Sequence, residues 1–285
     1  MQGDFITKIK SAYNQLTKAE TKVADYILAN PKAVLFMSIT DLAEACDVGD
    51  TSVFRFCKTM DLKGYQEFKM MLSLSISKGQ EEVDQFTGNN ISMEDSFLEL
   101  AKKVLNTNIN ALTETYSMIR EDEMEKAIVM LHKARRIYFF GVGASMLTAM
   151  KAMNKFMRIE NKVFCIQDSH MQAMAAATMS PQDVAVAFSY SGATKDTIHV
   201  AEVAKRAGAK IICVTRFVKS PLNSYADITL LSGANEGPLQ GGSTSAEISQ
   251  LFLVDLIYTE YYRRYFEQCS VNNEKASASV LEKLC

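Results

Sequence analysis

Residues 184–197 read Val-Ala-Val-Ala-Phe-Ser-Tyr-Ser-Gly-Ala-Thr-Lys-Asp-Thr. The apolar run Val184–Phe188 stops at hydroxyls and a glycine, and a helical pattern follows with Ile198, Val200, Ala201, Val203 and Ala204. Such a run, feeding a helix through a tight polar turn, predicts a buried parallel strand. Ser189, Ser191 and Thr194, with the N–H groups that a helix start leaves unbonded, predict an uncharged cradle for an anion. A phosphate on a small polar molecule suits it. The turn has no P-loop lysine, so nucleotide hydrolysis is not implied.

Four further strand candidates surround this one: 136–141, 163–166, 210–215 and 227–231. Helical patterns fall between the first four and after the fifth, and that alternation predicts a parallel sheet covered on both faces. The first strand also ends in a glycine turn, Gly141-Val142-Gly143-Ala144-Ser145. Ligands bind such sheets at the carboxyl ends of strands where the winding reverses. In the flavodoxin-like order 2-1-3-4-5 that point lies between strands one and three. Their turns carry Gly143 and Ser145, and Ser189, Ser191, Gly192 and Thr194, so two independent signals point to one crevice.

The 285 residues are enough for two domains, and the shares of apolar (48%) and charged (22%) residues are those of a globular protein. A formal net charge of −2 gives no global cationic signature for nucleic acid, although a local patch suffices for DNA. The six cysteines (Cys46, Cys57, Cys165, Cys213, Cys269, Cys285) show no CxxC and no zinc spacing with histidine, so no metal site is expected. Several sit in apolar runs, as buried thiols of a reducing cytoplasm do. No signal peptide and no membrane-spanning apolar run are visible, so a cytoplasmic location and no membrane partner are expected.

The polar stretch 77–95, with Gly79 and Gly88-Asn89-Asn90, reads as a linker. Every pattern before it is helical; two helices, roughly 94–118 and 121–134, follow it. Thr17 and Glu20 form a capping box for a helix near 17–30 that Pro31 closes. Ile39, Leu42, Ala43 and Cys46 share one face of the next helix. After the break Asp47-Val48-Gly49-Asp50, residues 51–60 resume a helical period. Two short helices on a tight turn predict a helix-turn-helix, with Thr51, Ser52, Arg55 and Lys58 outward in the major groove and Val53, Phe56 and Cys57 inward. Residues 51–79 hold Arg55, Lys58, Lys63, Lys69 and Lys78 against Asp61 and Glu67, a net of +3, whereas five Lys and seven Asp or Glu give residues 1–50 a net of −2. A small helical bundle with ordinary surface lysines is the competing reading.

These residues carry a family likeness. The turn Ser189-Tyr190-Ser191-Gly192-Ala193-Thr194 resembles the signature of the SIS (sugar isomerase) phosphosugar-binding domain, and the likeness spans 136–262. Residues 5–80 resemble the N-terminal helix-turn-helix of RpiR-type (MurR/RpiR) transcriptional regulators, through Leu16-Thr17-Lys18-Ala19-Glu20, Val53-Phe54-Arg55-Phe56-Cys57 and Leu62-Lys63-Gly64-Tyr65-Gln66-Glu67-Phe68-Lys69. The resemblance implies a bacterial regulator of carbohydrate-metabolism genes, a homodimer or homotetramer on a double-stranded, palindromic operator, whose DNA affinity responds to a sugar phosphate. It implies no cofactor and no catalytic residue. Ser145, Ser189, Ser191 and Thr194 match the phosphate-holding positions, beside Gly143 and Gly192. Thr51, Ser52, Arg55, Lys58 and Lys63 fall to the DNA-facing side.

The chain departs from that pattern at Asp47, where a glycine is usual, and at Gly49, where a serine would cap or touch phosphate. Gln240-Gly241 replaces Arg-Ser, and Glu247 replaces an arginine, leaving a carboxylate near the expected sugar pocket. The chain divides as residues 1–78 for the DNA-binding domain, 79–134 for linker and connector helices, 135–268 for the phosphosugar domain and 269–285 for a tail. The fold class is thus multi-domain, an all-α helix-turn-helix followed by an α/β three-layer sandwich on a five-stranded parallel sheet.

Several residues admit two readings. His170, after strand two, reaches the crevice or sits on the surface at a helix start. Glu247 contacts sugar hydroxyls or acts as a base, or is an ordinary first-turn glutamate, and Gln240 is counted among the sugar-phosphate-binding positions. Gly241–Ser245 reads as a pocket-lining cap of the last long helix. His132 and His199 fall on polar, solvated faces. Met146, Leu147, Met150, Met153, Phe156 and Met157 form a core or interface stripe. Tyr258, Tyr261, Tyr262, Tyr265 and Phe266 suit an interface or pack back on the sheet. The alternative function is a phosphosugar isomerase with Glu247 or His170 as base, but such an enzyme has no use for a helix-turn-helix.

Overall fold

The computed structural model describes residues 5–77, 91–92, 94–234, 244–281 and 283. The described residues form two compact units, one up to residue 107 and one of residues 108–234 with those from 244 onward.

In the first unit the described helices are α1 Phe5–Ala12, α2 Lys18–Ala29, the single turn α3 Pro31–Val34, α4 Ile39–Ala45, α5 Asp50–Thr59 and α6 Tyr65–Ser77, with α2, α4 and α5 where the caps and spacing predict helices. Capping fixes where two of them begin. The Glu20 amide donates to Thr17 Oγ1 while the Thr17 amide donates to Glu20 Oε2 at 2.9 Å, and Ser38 and Asp41 repeat the box at α4. Glu20 does a second job: its other carboxylate oxygen accepts from Thr59 Oγ1 at 2.6 Å, pinning the start of α2 to the end of α5. Ile9, Val23, Ile27, Leu42, Val53, Phe56 and Phe68 are fully buried, and Phe68 meets Phe5 and Phe56 edge-on at 5.9 and 6.0 Å. Asp47, between α4 and α5, has φ +52°, the left-handed region in which a glycine is unstrained, and its carboxylate lies 2.9 Å from Lys22 Nζ.

In the second unit the sheet has strands β1 Arg136–Phe140, β2 Val163–Cys165, β3 Asp183–Phe188, β4 Lys210–Thr215 and β5 Ile228–Leu231, all parallel, in the order β2-β1-β3-β4-β5. The connector helix α7 spans Phe97–Ser117 and α8 spans Glu121–Lys133; α9 Ala144–Phe156, α10 Ser169–Ala177 and α11 Lys195–Arg206 follow β1, β2 and β3. Helices α12 Thr244–Arg264 and α13 Phe266–Leu281 close the chain, so residues 269–281, read as tail, are helical and bury Cys269. Because side chains alternate along strands, Ile137, Phe139, Val186, Phe188 and Val214 face α8, α9 and α12. Tyr138, Phe140, Ala185, Ala187 and Cys213 face α10 and α11.

The crowded aromatics of α12 pack inward. Tyr261 is fully buried and meets Phe156 edge-on at 5.6 Å, whereas Phe266 remains exposed. The methionine stripe divides: Met146 and Phe156 are core, Leu147 and Met157 exposed. His132 is half-buried rather than solvated as its polar helix face predicts. Its ring stacks on Tyr265 at 3.5 Å with Nδ1 3.3 Å from Tyr261 Oη, since the end of α12 and the residue after it lie over α8, and burial followed by the nearby Lys162 lowers its pKa. His199 is exposed. Burial pushes the Cys57 and Cys213 thiols up to about 12. Among the described residues no helix is long and apolar enough to cross a membrane, and no cluster could hold a metal ion.

Asp183 anchors the amino edge of the sheet. Its fully buried carboxylate accepts from Arg136 at 2.8 and 3.1 Å, from Arg135 at 3.3 Å through Nε and Nη2, and from the Ser180 amide and hydroxyl at 2.8 and 2.9 Å. Burial alone would raise its pKa, but the arginine and serine hydrogen bonds override this and hold it far below the usual carboxylate range. Its stabilisation is therefore complete above the unfolded carboxylate pKa of about 4 and is lost as pH falls below that value. Asp183→Ala removes the buried acceptor shared by two partly exposed guanidinium groups and Ser180 and is expected to cost about 1–3 kcal/mol in urea unfolding at pH 7. The deficit relative to wild type should shrink below about pH 4.

Candidate ligand crevice and helix-turn-helix surface

Strands β1 and β3 are neighbours in register, with Phe140 beside Ala187, so their carboxyl ends open side by side. Since β1 pairs with β2 on one flank and β3 on the other, the winding reverses between them. The β1 outlet is tight: a Cβ on Gly141 would lie 2.7 Å from the Ser145 carbonyl oxygen, and Gly143, with φ +58°, caps α9. Ser145 follows on the first turn of α9, half-buried.

The β3 outlet folds on itself. Ser189 is buried, and its hydroxyl lies 3.3 Å from that of Thr194 and accepts from the Gly192 amide at 3.1 Å. The Ala193 amide donates to Ser191 Oγ at 3.2 Å. Gly192 has φ +59°, and a Cβ there would drive into the Ser220 side chain. Thr194 is the N-cap of α11 with an extended backbone and no side-chain cap bond. The first-turn amides of Lys195, Asp196 and Thr197 precede the first α-helical bond, Ile198 N to Thr194 O at 3.0 Å. Hydroxyls of Ser189, Ser191 and Thr194 and a positive helix end thus gather within one six-residue turn, the chemistry of a phosphate cradle. One residue escapes the sequence reading. Thr197 Oγ1, buried in that first turn, has no hydrogen-bond partner among the described residues. Its only signal in the sequence is a threonine three residues past the cap.

The other expected ligand contacts are more dispersed. His170 is exposed at the start of α10, whose cap is Asp168, and shares no described contact with the serine turn. Glu247 is half-buried in the first turn of α12. Gln240, like Gly241, Gly242 and Ser243, lies outside the described residues.

On the helix-turn-helix, Thr51, Arg55 and Lys58 are exposed and Ser52 half-buried, while Val53, Phe56 and Cys57 face the core, as the spacing predicts. Lys63 is exposed, and Lys58 Nζ donates to its carbonyl at 3.1 Å. Lys69 leaves the basic patch: it is buried, with Nζ 3.3 Å from the Met37 carbonyl, because its position in α6 faces the core. Gly49 precedes α5 without a side-chain cap.

Residues 3–79 match the helix-turn-helix domain of the rpiR family, and residues 130–260 match the SIS domain. An HTH-type transcriptional regulator of Haemophilus influenzae is 36% identical over 281 residues, covering 99% of this chain and 98% of its own. The regulator RpiR of Escherichia coli K12 is 28% identical over 93% of this chain and 88% of its own. The structure of Vibrio vulnificus NanR complexed with ManNAc-6P superposes with a TM-score of 0.88 at 28% identity, covering 99% of both chains. The chain therefore belongs to the rpiR family of helix-turn-helix transcriptional regulators that carry a SIS domain. These relatives, matched over nearly their whole length, are named as transcriptional regulators, which favours a regulator over an isomerase for this chain.

Gly192→Ala is expected to unseat the β3 outlet. Left-handed strain of about 1–3 kcal/mol adds to the collision with Ser220. Urea unfolding should show the loss, and a stability within experimental error of wild type would refute this account of the turn.

Proposed function

We propose that this regulator senses a sugar phosphate, with the phosphate held by Ser189, Ser191 and Thr194 and the α11 amides, and with Ser145 and Gly143 closing from the β1 outlet. The carrying observation is the turn itself: three hydroxyls and a helix N-terminus at the switch point of the sheet. Amino-sugar phosphates are the favoured effector class, supported by the ManNAc-6P bound to the NanR relative. His170, Glu247 and Gln240 are assigned to the sugar end. Thr51, Ser52, Arg55, Lys58 and Lys63 are assigned to operator DNA, read by a symmetric oligomer on a palindrome.

The effector turn is fastened to the connector helix within the second unit. Tyr190 stands between the two serines; its carbonyl accepts from the Arg216 amide at 3.0 Å and Thr215 Oγ1 at 3.1 Å, and its hydroxyl donates to the Ala234 carbonyl at 2.8 Å. Arg216 Nε donates to the same Ala234 carbonyl at 3.1 Å, and its Nη2 pairs with Glu114 of α7 at 2.6 Å. Next to it, buried Thr115 Oγ1 accepts from the Gly233 amide at 2.8 Å while its own proton goes to the Ala111 carbonyl at 2.7 Å, with the Gly233 carbonyl at 3.2 Å. A Cβ on Gly233 would lie 2.6 Å from the Thr115 nitrogen, so only glycine admits this approach. A ligand that moves Tyr190 thereby acts on α7, and its effect on DNA equals its differential affinity for the two arrangements.

A thermal-shift panel of ManNAc-6P, glucosamine 6-phosphate, N-acetylmuramic acid 6-phosphate, glucose 6-phosphate and the parent sugars tests the sensor. A ligand at 100 times its Kd adds about 2.7 kcal/mol of apparent stability. The expected result is a shift with a phosphorylated sugar and none with its parent. Ser189→Ala with Ser191→Ala should abolish that shift while duplex DNA is still bound; an undiminished shift would overturn the assignment. Glu114→Gln should keep the thermal shift yet lose the effector-dependent change in DNA affinity, measured by fluorescence anisotropy. A full effector response in this variant refutes the link through α7.

A further inference from the structure

The outward arc of α5 carries an aromatic ring that the polar DNA-facing set leaves unused. At 100° per residue, Thr51, Phe54, Arg55 and Lys58 lie at positions i, i+3, i+4 and i+7 and share one face. Val53, Phe56, Cys57 and Met60 occupy the opposite face and are buried to 0% exposure, whereas Phe54 is 42% exposed. Phe54 is thus the apolar member of the face that meets DNA. One side of its ring lies against Gly64, whose constructed Cβ would sit 3.6 Å from Cε2, and Lys58 Nζ stands 5.3 Å from the ring centroid. Lys58 is in turn anchored on the Lys63 carbonyl at 3.1 Å. Ring and ammonium therefore stand together on this face, one apolar and one cationic, with Arg55 on the same face.

In the major groove the thymine 5-methyl group is the one apolar feature of a base edge, and an apolar side chain is its natural complement. We propose that Phe54 is a specificity-determining residue that packs on a thymine methyl group in each half-site, while Lys58, braced on the ring, takes the adjoining phosphate. The inference rests on α5 being the groove-facing helix. It adds a base identity to that reading: a thymine is required at one fixed position relative to the base or phosphate that Arg55 contacts.

The test uses the full-length protein and duplexes that it selects from a random-sequence pool, with each thymine replaced singly by deoxyuridine. That replacement removes the methyl group and leaves the hydrogen-bonding edge intact. Wild type should lose roughly fourfold in affinity at one thymine per half-site, the worth of one buried methyl group. Phe54→Ala should bind the thymine duplex more weakly and be indifferent to that same replacement, with Phe54→Leu in between. Wild-type indifference to uracil at every position overturns the proposal without reference to any variant. So does a Phe54→Ala that keeps the wild-type uracil sensitivity. A loss that is uniform across duplexes, with a reduced salt dependence, also overturns it and makes the ring a brace for Lys58 alone. Arg55→Ala separates the two levels. If it leaves affinity for every selected duplex unchanged, α5 does not face the DNA and both readings fall; if affinity drops while uracil scanning is flat, only the thymine assignment falls.

Discussion

The left-handed turn at Gly192 is the constraint on which the sensor unit depends. Its φ of +59° reverses the chain directly after β3, and the absence of a side chain lets the turn press against Ser220. Everything useful about the turn follows from that reversal. It folds the Ser189 hydroxyl back to the Gly192 amide and to Thr194, the N-cap of α11. Placed at a strand that pairs with β1 on one side and β4 on the other, this turn occupies the one crevice where the helices of the two faces part.

The same turn is tied from behind to the rest of its unit. Tyr190 cannot move without disturbing the Arg216 amide, the Thr215 hydroxyl and the Ala234 carbonyl. Gly233 and Thr115 approach so closely that α7 is in register with the outlet of β5. Packed interiors respond to a local change by switching between arrangements rather than by deforming smoothly. A polar knot that joins the proposed anion cradle to a connector helix is a physical form that such a sensor can take. At the opposite edge of the sheet, Asp183 with Arg135 and Arg136, and Tyr261 donating to buried Glu160, anchor the scaffold against which the crevice can change.

Much of this was legible in the chain. The Val184–Phe188 run, its hydroxyl-rich turn and the alternation of strands and helices identified β3, the sheet and the crevice between β1 and β3, because a doubly covered parallel strand leaves an unbroken apolar signature. The Thr17–Glu20 box and the spacing of Val53, Phe56 and Cys57 identified α2 and the buried face of α5. Charge counting was less faithful. Lys69 counted toward the basic patch, yet its aliphatic stem lies in the core and its ammonium meets the Met37 carbonyl. His132 was misread for a related reason, since its own helix face is polar and the covering rings come from Tyr261 and Tyr265, more than a hundred residues away.

By itself the sequence determined the local periodicities, the caps and the chemistry of the two outlets, all of which depend on residues within a few positions of one another. Only the tertiary structure decided which of those residues meet. The Glu114–Arg216 pair, the Thr115–Gly233 approach and the bond from Thr59 to Glu20 span 39 to 118 positions. No local pattern encodes such partners, because each side chain has many acceptors within its chemical reach and the packed backbone leaves it one.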